Sequence, residues 1–443
     1  MKIALLGGGL ASLLAAYELK QKAPEIELEI FEKSDREHSG GLLRTVEFCG
    51  RKVDVGGPHI MFSSNKEILE KMLKFVPSAK QHKRIAKIAF ENTIIDYPIE
   101  NGIWSLPEER RKGYVNEMLQ LLEYTNETPI TSMQDFFEQT FGRHLARDYF
   151  IPYNTKIWKT SPSMMETTWT ATSGRLPTPS KEKLLDAANG IPQEGYEIQS
   201  NFWYPSKDGI YELYENLLKI VEDSGVEVKY DAAVNKIIYS DSKVRINTNA
   251  SKPFDYAFSS LPLVERYEVE SLNSCVLQYN PVITVLLKIR DLNYTINNTD
   301  ISSLQVLYVP PNLAEGYDTI FHRLIFVDKF QSSIAGLEDT VLMAEITGPS
   351  YYYASKQTIV EAVMTGLIKL GFAQSDKQLQ ESFVTRNDYG YPVDVHGTSC
   401  LRNAIVNELR TMKVVSIGRW GKWSYWNMDK VYADVLKEVS SII

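Results

Sequence analysis

The chain opens MKIALLGGGLASLLAAYELKQ (residues 1–21), and its three consecutive glycines decide how it is read. Lys2 to Leu6 form a short apolar run of strand type, and the apolar periodicity of Leu10 to Leu19 is that of a helix. Gly7, Gly8 and Gly9 stand between them. Glycine there costs conformational entropy, so the turn needs backbone angles or a closeness of approach that a side chain forbids. Gly7 and Gly9 fill two positions of a GxGxxG loop; Ser12, small enough to let the helix pack on the strand, stands at the third. A second strand, in IELEIFEK, ends at Glu32, 23 positions after Gly9, close to the spacing at which a carboxylate takes the ribose hydroxyls of an adenine dinucleotide. The exposed N–H groups and positive end of the helix then face a pyrophosphate. A tight strand-to-helix turn without a ligand is the plainer alternative; strand, glycines, helix, second strand and Glu32 together favour the dinucleotide.

At 443 residues, 44% hydrophobic and 23% charged, the chain has the balance of a globular protein of two or three domains. No stretch reaches the roughly 18 uninterrupted apolar residues of a membrane span, and the N-terminus enters the first strand without a cleavable signal pattern. A cytoplasmic location is expected. Cys49, Cys275 and Cys400 are odd in number and lack ligand spacing, which disfavours a disulfide scaffold or zinc site. No metal is expected. The formal charge of -8 argues against nucleic acid, which needs basic patches. An anionic ligand would have to meet cations placed locally.

The next segment, SGGLLRTVEF (39–48), carries Gly40, Gly41, Arg44 and Thr45. It resembles the GGxxRT segment of flavoproteins of the amine-oxidase and glutathione-reductase type, in which the arginine supports the FAD pyrophosphate. That resemblance implies FAD rather than NAD. The expected fold is α/β: a Rossmann-like FAD-binding domain assembled from 1–95, 204–275 and 408–443, a mainly helical insertion at 96–203, and a separate antiparallel sheet domain at 276–407. The helical assignment rests on runs such as MQDFFEQTFGRHLARDYF, and the sheet on VITVLLKI, LQVLYV, RLIFVD and VLMAEI. A substrate cleft is expected where domains meet.

PYNTKIW (152–158), preceded by DFFEQTFG and followed by TTW, resembles the helical-domain signature of the UDP-galactopyranose mutases, especially their eukaryotic-type branch. DYPIENGI (96–103), NFWYPSKDG (201–209), LYVPP ahead of FHRLIF, YGYPVD (389–394) and GRWGKWSY (418–425) follow in the same order over nearly the whole chain. The resemblance implies a flavin used without net electron transfer. Reduced FAD attacks the anomeric carbon of UDP-galactose through N5, UDP leaves and later returns, and pyranose and furanose forms interconvert. NADPH or NADH is implied only as the reductant that first reduces the flavin.

A UDP-sugar carries two pyrophosphate charges and calls for dedicated cations, preferably the planar forks of arginine. Arg323, in FHRLIF, matches one family arginine, and Arg175, in SGRLPTP, is the candidate for a second, its spacing from Trp169 departing from the family pattern by a couple of residues. Tyr308, Tyr391 and Tyr425 fall where the family places phenols on the diphosphate. Tyr97, Asn154 and Trp158 match positions at the uracil end, although an aromatic residue such as Trp158 equally suits the helical core. Glu100 stands where eukaryotic-type members carry a glutamine near the base, a change that removes two N–H donors and adds a negative charge. His59, with Gly57 in GGPHIMF, matches a histidine against the isoalloxazine; Gly418, Arg419 and Asp429 are expected near the FAD. An FAD oxidase or dehydrogenase of the amine-oxidase or protoporphyrinogen-oxidase type would share Gly7, Gly9, Glu32 and GGLLRT but need not share PYNTKIW. A noncatalytic FAD-binding protein is the third class. Neither the oligomeric state nor the exact nucleotide and sugar follows from the sequence.

Overall fold

The computed structural model spans residues 1–443 and describes all but 124–128, 169–179, 193–199, 207–208, 249, 264–276, 332–333 and 335–338. The opening KIALL run forms the strand Lys2–Leu6, the middle of a five-stranded parallel sheet ordered Val414–Ser416, Tyr256–Ser259, Lys2–Leu6, Glu27–Phe31, Glu227–Lys229. Ile3 to Leu6 are fully buried, as a parallel strand covered on both faces requires. Leu5 is paired with Ile30 on one side and Phe258 on the other. The helix Leu10–Lys22 covers the sheet with Leu13, Leu14, Ala15, Ala16 and Leu19, and packs against the helices Tyr211–Asp223 and Met428–Ser440.

A seven-stranded sheet makes the second layer, in the order Leu379–Val393, Gln278–Ile289, Thr340–Thr347, Arg323–Phe326, Val306–Tyr308, Ala86–Phe90, Thr93–Asp96. It is antiparallel except where Val306–Tyr308 runs parallel to Ala86–Phe90. Residues alternate between its faces, so Leu324, Phe326, Leu342 and Ala344 enter a core under the helix Lys356–Lys369, whereas Ile325 and Met343 join the core shared with the parallel sheet. Arg323 has the parity of Ile325, and Glu345 that of Met343. Both therefore stand on the face turned towards the parallel sheet.

The hairpin Ala86–Phe90/Thr93–Asp96 corrects one expectation. The sequence places residues up to 95 in the FAD-binding part, yet these strands extend the large sheet. Ile88, Ala89, Phe90 and Ile95 are all buried, so the hairpin needs cover on both faces, and pairing with Val306–Tyr308 supplies it.

A helical layer packs against one end of the large sheet, on Ile88, Phe90, Ile95, Val282 and Val393. Its helices Glu108–Glu123, Met133–Phe141 and Ile151–Trp158 close over Val115, Met118, Phe137, Phe141, Leu145 and Phe150. Ser132 and Asp135 form a reciprocal capping box that starts Met133–Phe141. Lys156, buried on Ile151–Trp158, pins that helix to the large sheet by donating to the Val309 carbonyl (2.9 Å), Asp318 Oδ1 (2.5 Å) and Thr319 Oγ1 (3.0 Å). No helix among the described residues is long and apolar enough to cross a membrane.

Candidate functional site

A cleft of about 660 Å³ opens where the glycine loop, the helical layer and the large sheet meet. Its wall gathers Gly7, Gly8, Gly9, Glu32, Gly41, Arg44, Gly57 and His59 from the dinucleotide-binding part with Tyr97, Asn154, Trp158, Tyr308, Arg323, Tyr391, Arg419 and Tyr425 from the rest. Ser12, Gly418 and Asp429 are not on the wall. Ser12 is buried behind it, 3.0 Å from the Ser260 hydroxyl, and Gly418 N–H donates to Asp434 (3.1 Å). Asp429 accepts from Ser63 (3.0 Å) through one oxygen while its other, buried oxygen has no partner. Arg175 lies outside the described residues.

At Gly7 and Gly8 the glycine loop is shaped by contacts that leave no room for a Cβ. Gly7 has φ +90°, and a Cβ there would stand 2.7 Å from Ser260 Oγ. A Cβ on Gly8 would meet Glu32 Oε2 at 2.8 Å, because the Gly8 N–H donates to that oxygen (2.7 Å). Glu32 Oε1 takes the Ser34 N–H (2.9 Å). The helix Leu10–Lys22 starts at Gly9 without a side-chain cap, so its first N–H groups remain available to an anion. Arg44 is steered by the Gly41 carbonyl (3.0 Å) and Asn387 Oδ1 (3.0 Å).

On the large sheet, register sets the chemistry. Tyr308, Arg323 and Glu345 sit directly opposite one another on three neighbouring strands. Arg323 Nη2 donates to Glu345 Oε2, and the Tyr391 hydroxyl donates to Glu345 Oε1, which His322 Nε2 approaches at 3.5 Å. Burial opposes ionisation of Glu345, but Arg323 above all, with His322 and Tyr391, holds the carboxyl well below its usual range. Arg323 keeps a buried Nε with no partner. Glu345, absent from the sequence reading, is thus the residue that aims Arg323.

Around this pair the aromatic residues are tightly interlocked. Trp158 meets Tyr425 edge-on at 5.2 Å between centroids and donates through Nε1 to Asn154 Oδ1 (3.1 Å). The Arg419 guanidinium lies 4.4 Å from the Tyr425 ring centre, and Tyr97 stacks on Tyr308 at 4.2 Å. Arg84, a second residue the sequence reading missed, donates to the Tyr308 hydroxyl (2.8 Å) and lies over the Tyr97 ring. Its only signal was a basic run, QHKR, that reads as solvated surface. His59 carries a buried Nε2 without a partner; burial first, then Arg419 and Arg323, push its pKa down to about 4, so the ring is neutral near pH 7. Among the described residues no cluster of three or more potential ligands could hold a metal ion.

These features have a counterpart in one family model: residues 6–76 match the family described as NAD(P)-binding Rossmann-like domain. The solved structure of reduced UDP-galactopyranose mutase superposes with a TM-score of 0.86 at 19% identity, covering 100% of this chain and 93% of that one. Cyclohexylamine oxidase from Brevibacterium oxydans IH-35A superposes with a TM-score of 0.69 at 12% identity, covering 100% and 98%. In sequence, the chain is 22% identical over 275 residues to coproporphyrinogen III oxidase of Staphylococcus aureus (strain NCTC 8325 / PS 47), a match spanning 56% of this chain and 57% of the relative. The chain shares its fold with both of these solved structures.

Proposed function

We propose that the protein is an FAD-dependent nucleotide-sugar mutase, interconverting UDP-galactopyranose and UDP-galactofuranose. The observation that carries this reading is the shared cleft: the glycine loop and the Tyr308–Arg323–Glu345 row line one cavity.

The chain's own residues fit FAD. Gly7 to Gly9 leave space for a pyrophosphate, the uncapped helix start faces it, Glu32 stands beside the loop, and His59 lines the same wall. When bound and reduced by NADPH or NADH, the flavin would supply a nucleophilic nitrogen for the anomeric carbon of the sugar. Arg323 then holds the departing diphosphate so that it can return, its fork fixed by Glu345. Tyr308 and Tyr425 add phenol groups, whereas the Tyr391 hydroxyl donates a hydrogen bond to Glu345 and so acts through the position of that carboxylate. Arg84 supplies the further cation for which the sequence offered Arg175. Neutral His59 accepts or relays a hydrogen bond at the flavin.

The second reading, an FAD oxidase, is supported by the likeness to cyclohexylamine oxidase and coproporphyrinogen III oxidase. The two separate in one experiment. Protein reconstituted with FAD and reduced with dithionite is incubated anaerobically with UDP-galactofuranose, and the nucleotide sugars are resolved by chromatography. Conversion to UDP-galactopyranose is the expected outcome. No conversion, together with oxygen uptake and peroxide release on amine or porphyrinogen substrates, establishes the oxidase instead.

A further inference from the structure

Gln305 stands one residue ahead of the strand Val306–Tyr308, is 5% exposed and lies on the cleft wall. Its backbone is held on both sides, the N–H donating to the Ile85 carbonyl (3.0 Å) and the carbonyl accepting from the Phe326 N–H (2.9 Å). The side chain is held as well, because Oε1 accepts the Ile85 N–H (2.9 Å). A backbone N–H can only donate, so the amide oxygen has to face Ile85 and Nε2 is turned the other way. Among the described residues Nε2 has no hydrogen-bond partner, yet it is not enclosed as Arg323 Nε and His59 Nε2 are. What stays open of this buried side chain is therefore a donor on the cleft wall. Its neighbours there, Val306 and Ile325, are apolar and offer it no side-chain acceptor. An amide N–H2 left in that state is costly unless a ligand supplies the oxygen.

We propose that Gln305 is a specificity-determining residue whose amide donates a hydrogen bond to one hydroxyl oxygen of the sugar. The inference deepens the nucleotide-sugar reading above and rests on it. Tyr308 and Arg323 face each other at one end of a strand pair, and Val306 faces Ile325 at the other. Three extended residues at about 3.3 Å each span roughly 10 Å, so Gln305 lies within reach of a hexose hung from a diphosphate on Arg323. The direction agrees. Tyr97 and Tyr308 pack on the core of the helical layer, where the resemblance puts the base, whereas Val306 and Ile325 belong to the core shared with the parallel sheet, on the cofactor side. Because Ile85 occupies Oε1, the side chain offers only a donor. A sugar without the matching oxygen leaves Nε2 unpaired in the wall, so discrimination falls on a single hydroxyl group and is independent of the diphosphate contacts.

The test uses the FAD-reconstituted full chain with the flavin oxidised, so that binding is read without turnover. Isothermal titration compares UDP-galactose with analogues that each lack one sugar hydroxyl. One analogue is expected to bind the wild-type protein about tenfold more weakly than UDP-galactose, and that penalty should vanish in Gln305→Glu and in Gln305→Met. Gln305→Glu keeps an oxygen for the Ile85 N–H and removes only the N–H2 donor, so a purely structural role for Gln305 would leave the wild-type pattern in place. Gln305→Met removes the donor without adding a charge, which separates its loss from repulsion of the diphosphate. Equal wild-type affinity for every analogue, or a penalty that survives in either variant, overturns the proposal, while the binding of UDP-galactose leaves the nucleotide-sugar reading standing. A shifted flavin absorbance in sugar-free Gln305→Glu, with the analogue pattern unchanged, assigns the donor to the cofactor and overturns it too. Absence of UDP-galactose binding to the wild-type protein overturns both.

Discussion

Arg323 and Glu345 face each other across adjacent antiparallel strands, and the guanidinium donates to the carboxylate in the buried wall of the cleft. Opposite charges directly across a ladder sit close enough to interact through side chains alone. Here the pair also receives the Tyr391 hydroxyl. Taking away one member strands the other.

Arg323→Ala should therefore lower stability by about 3–5 kcal/mol, because Glu345 stays behind as an uncompensated buried charge. The same variant should lose most of its affinity for UDP-galactose while retaining FAD. Urea unfolding and flavin absorbance measure the two effects separately; full nucleotide-sugar affinity in the variant would remove Arg323 from the site.

Lys156 provides a comparison. Its carboxylate partner Asp318 is 46% exposed, so solvent can take over that charge when the lysine is removed. Lys156→Met should cost about 1–3 kcal/mol, less than Arg323→Ala, with the unsatisfied Val309 carbonyl as the main loss. A larger loss than that of Arg323→Ala, read from unfolding midpoints, would reverse the ranking.

His59 sets a pH dependence. Its folded pKa of about 4 lies below the unfolded value near 6.5, so protons bind the unfolded chain first. The stability it contributes is fully present above about pH 6.5 and is lost as pH falls towards 4. Unfolding midpoints measured from pH 7 to 4 should fall more steeply for wild type than for His59→Gln; parallel curves would show that the ring titrates normally.

The glycine loop separates folding from ligand. Nothing lies within 4 Å of a Cβ built on Gly9, whereas one on Gly8 meets Glu32. Gly9→Ala should fold with an unchanged melting temperature yet bind FAD poorly, since only a cofactor can collide with the added methyl. Gly8→Ala should lose both stability and FAD. Normal flavin content in Gly9→Ala would move the pyrophosphate elsewhere.

Much of this was legible from one sequence, for local reasons. KIALLGGG joins a buried strand to a glycine turn within a few residues, and RLIFVD is a β-rich apolar run that puts Arg323 on a strand. Its partner was not legible. Glu345 sits in VLMAEIT, a fully buried run in which nothing marks the one charged position as facing Arg323; only the register of the folded sheet does that. Ala86–Phe90 was assigned to the wrong layer for the same reason, since pairing with Val306–Tyr308 is a long-range choice. Glu100 is visible as a substitution, but the burial that pushes its pKa up to about 8 is reported by no sequence pattern.

The parallel sheet has a consequence for biogenesis. Its outer strand Val414–Ser416 and its covering helix Met428–Ser440 arrive last, and Tyr432 on that helix donates to Glu18 near the N-terminus (2.6 Å). Contacts so distant along the chain form slowly. A ribosome must have emitted residues 428–440 before the first glycines acquire their final surroundings, so a nascent polypeptide stalled near residue 400 would expose the KIALL layer and become a client for chaperones.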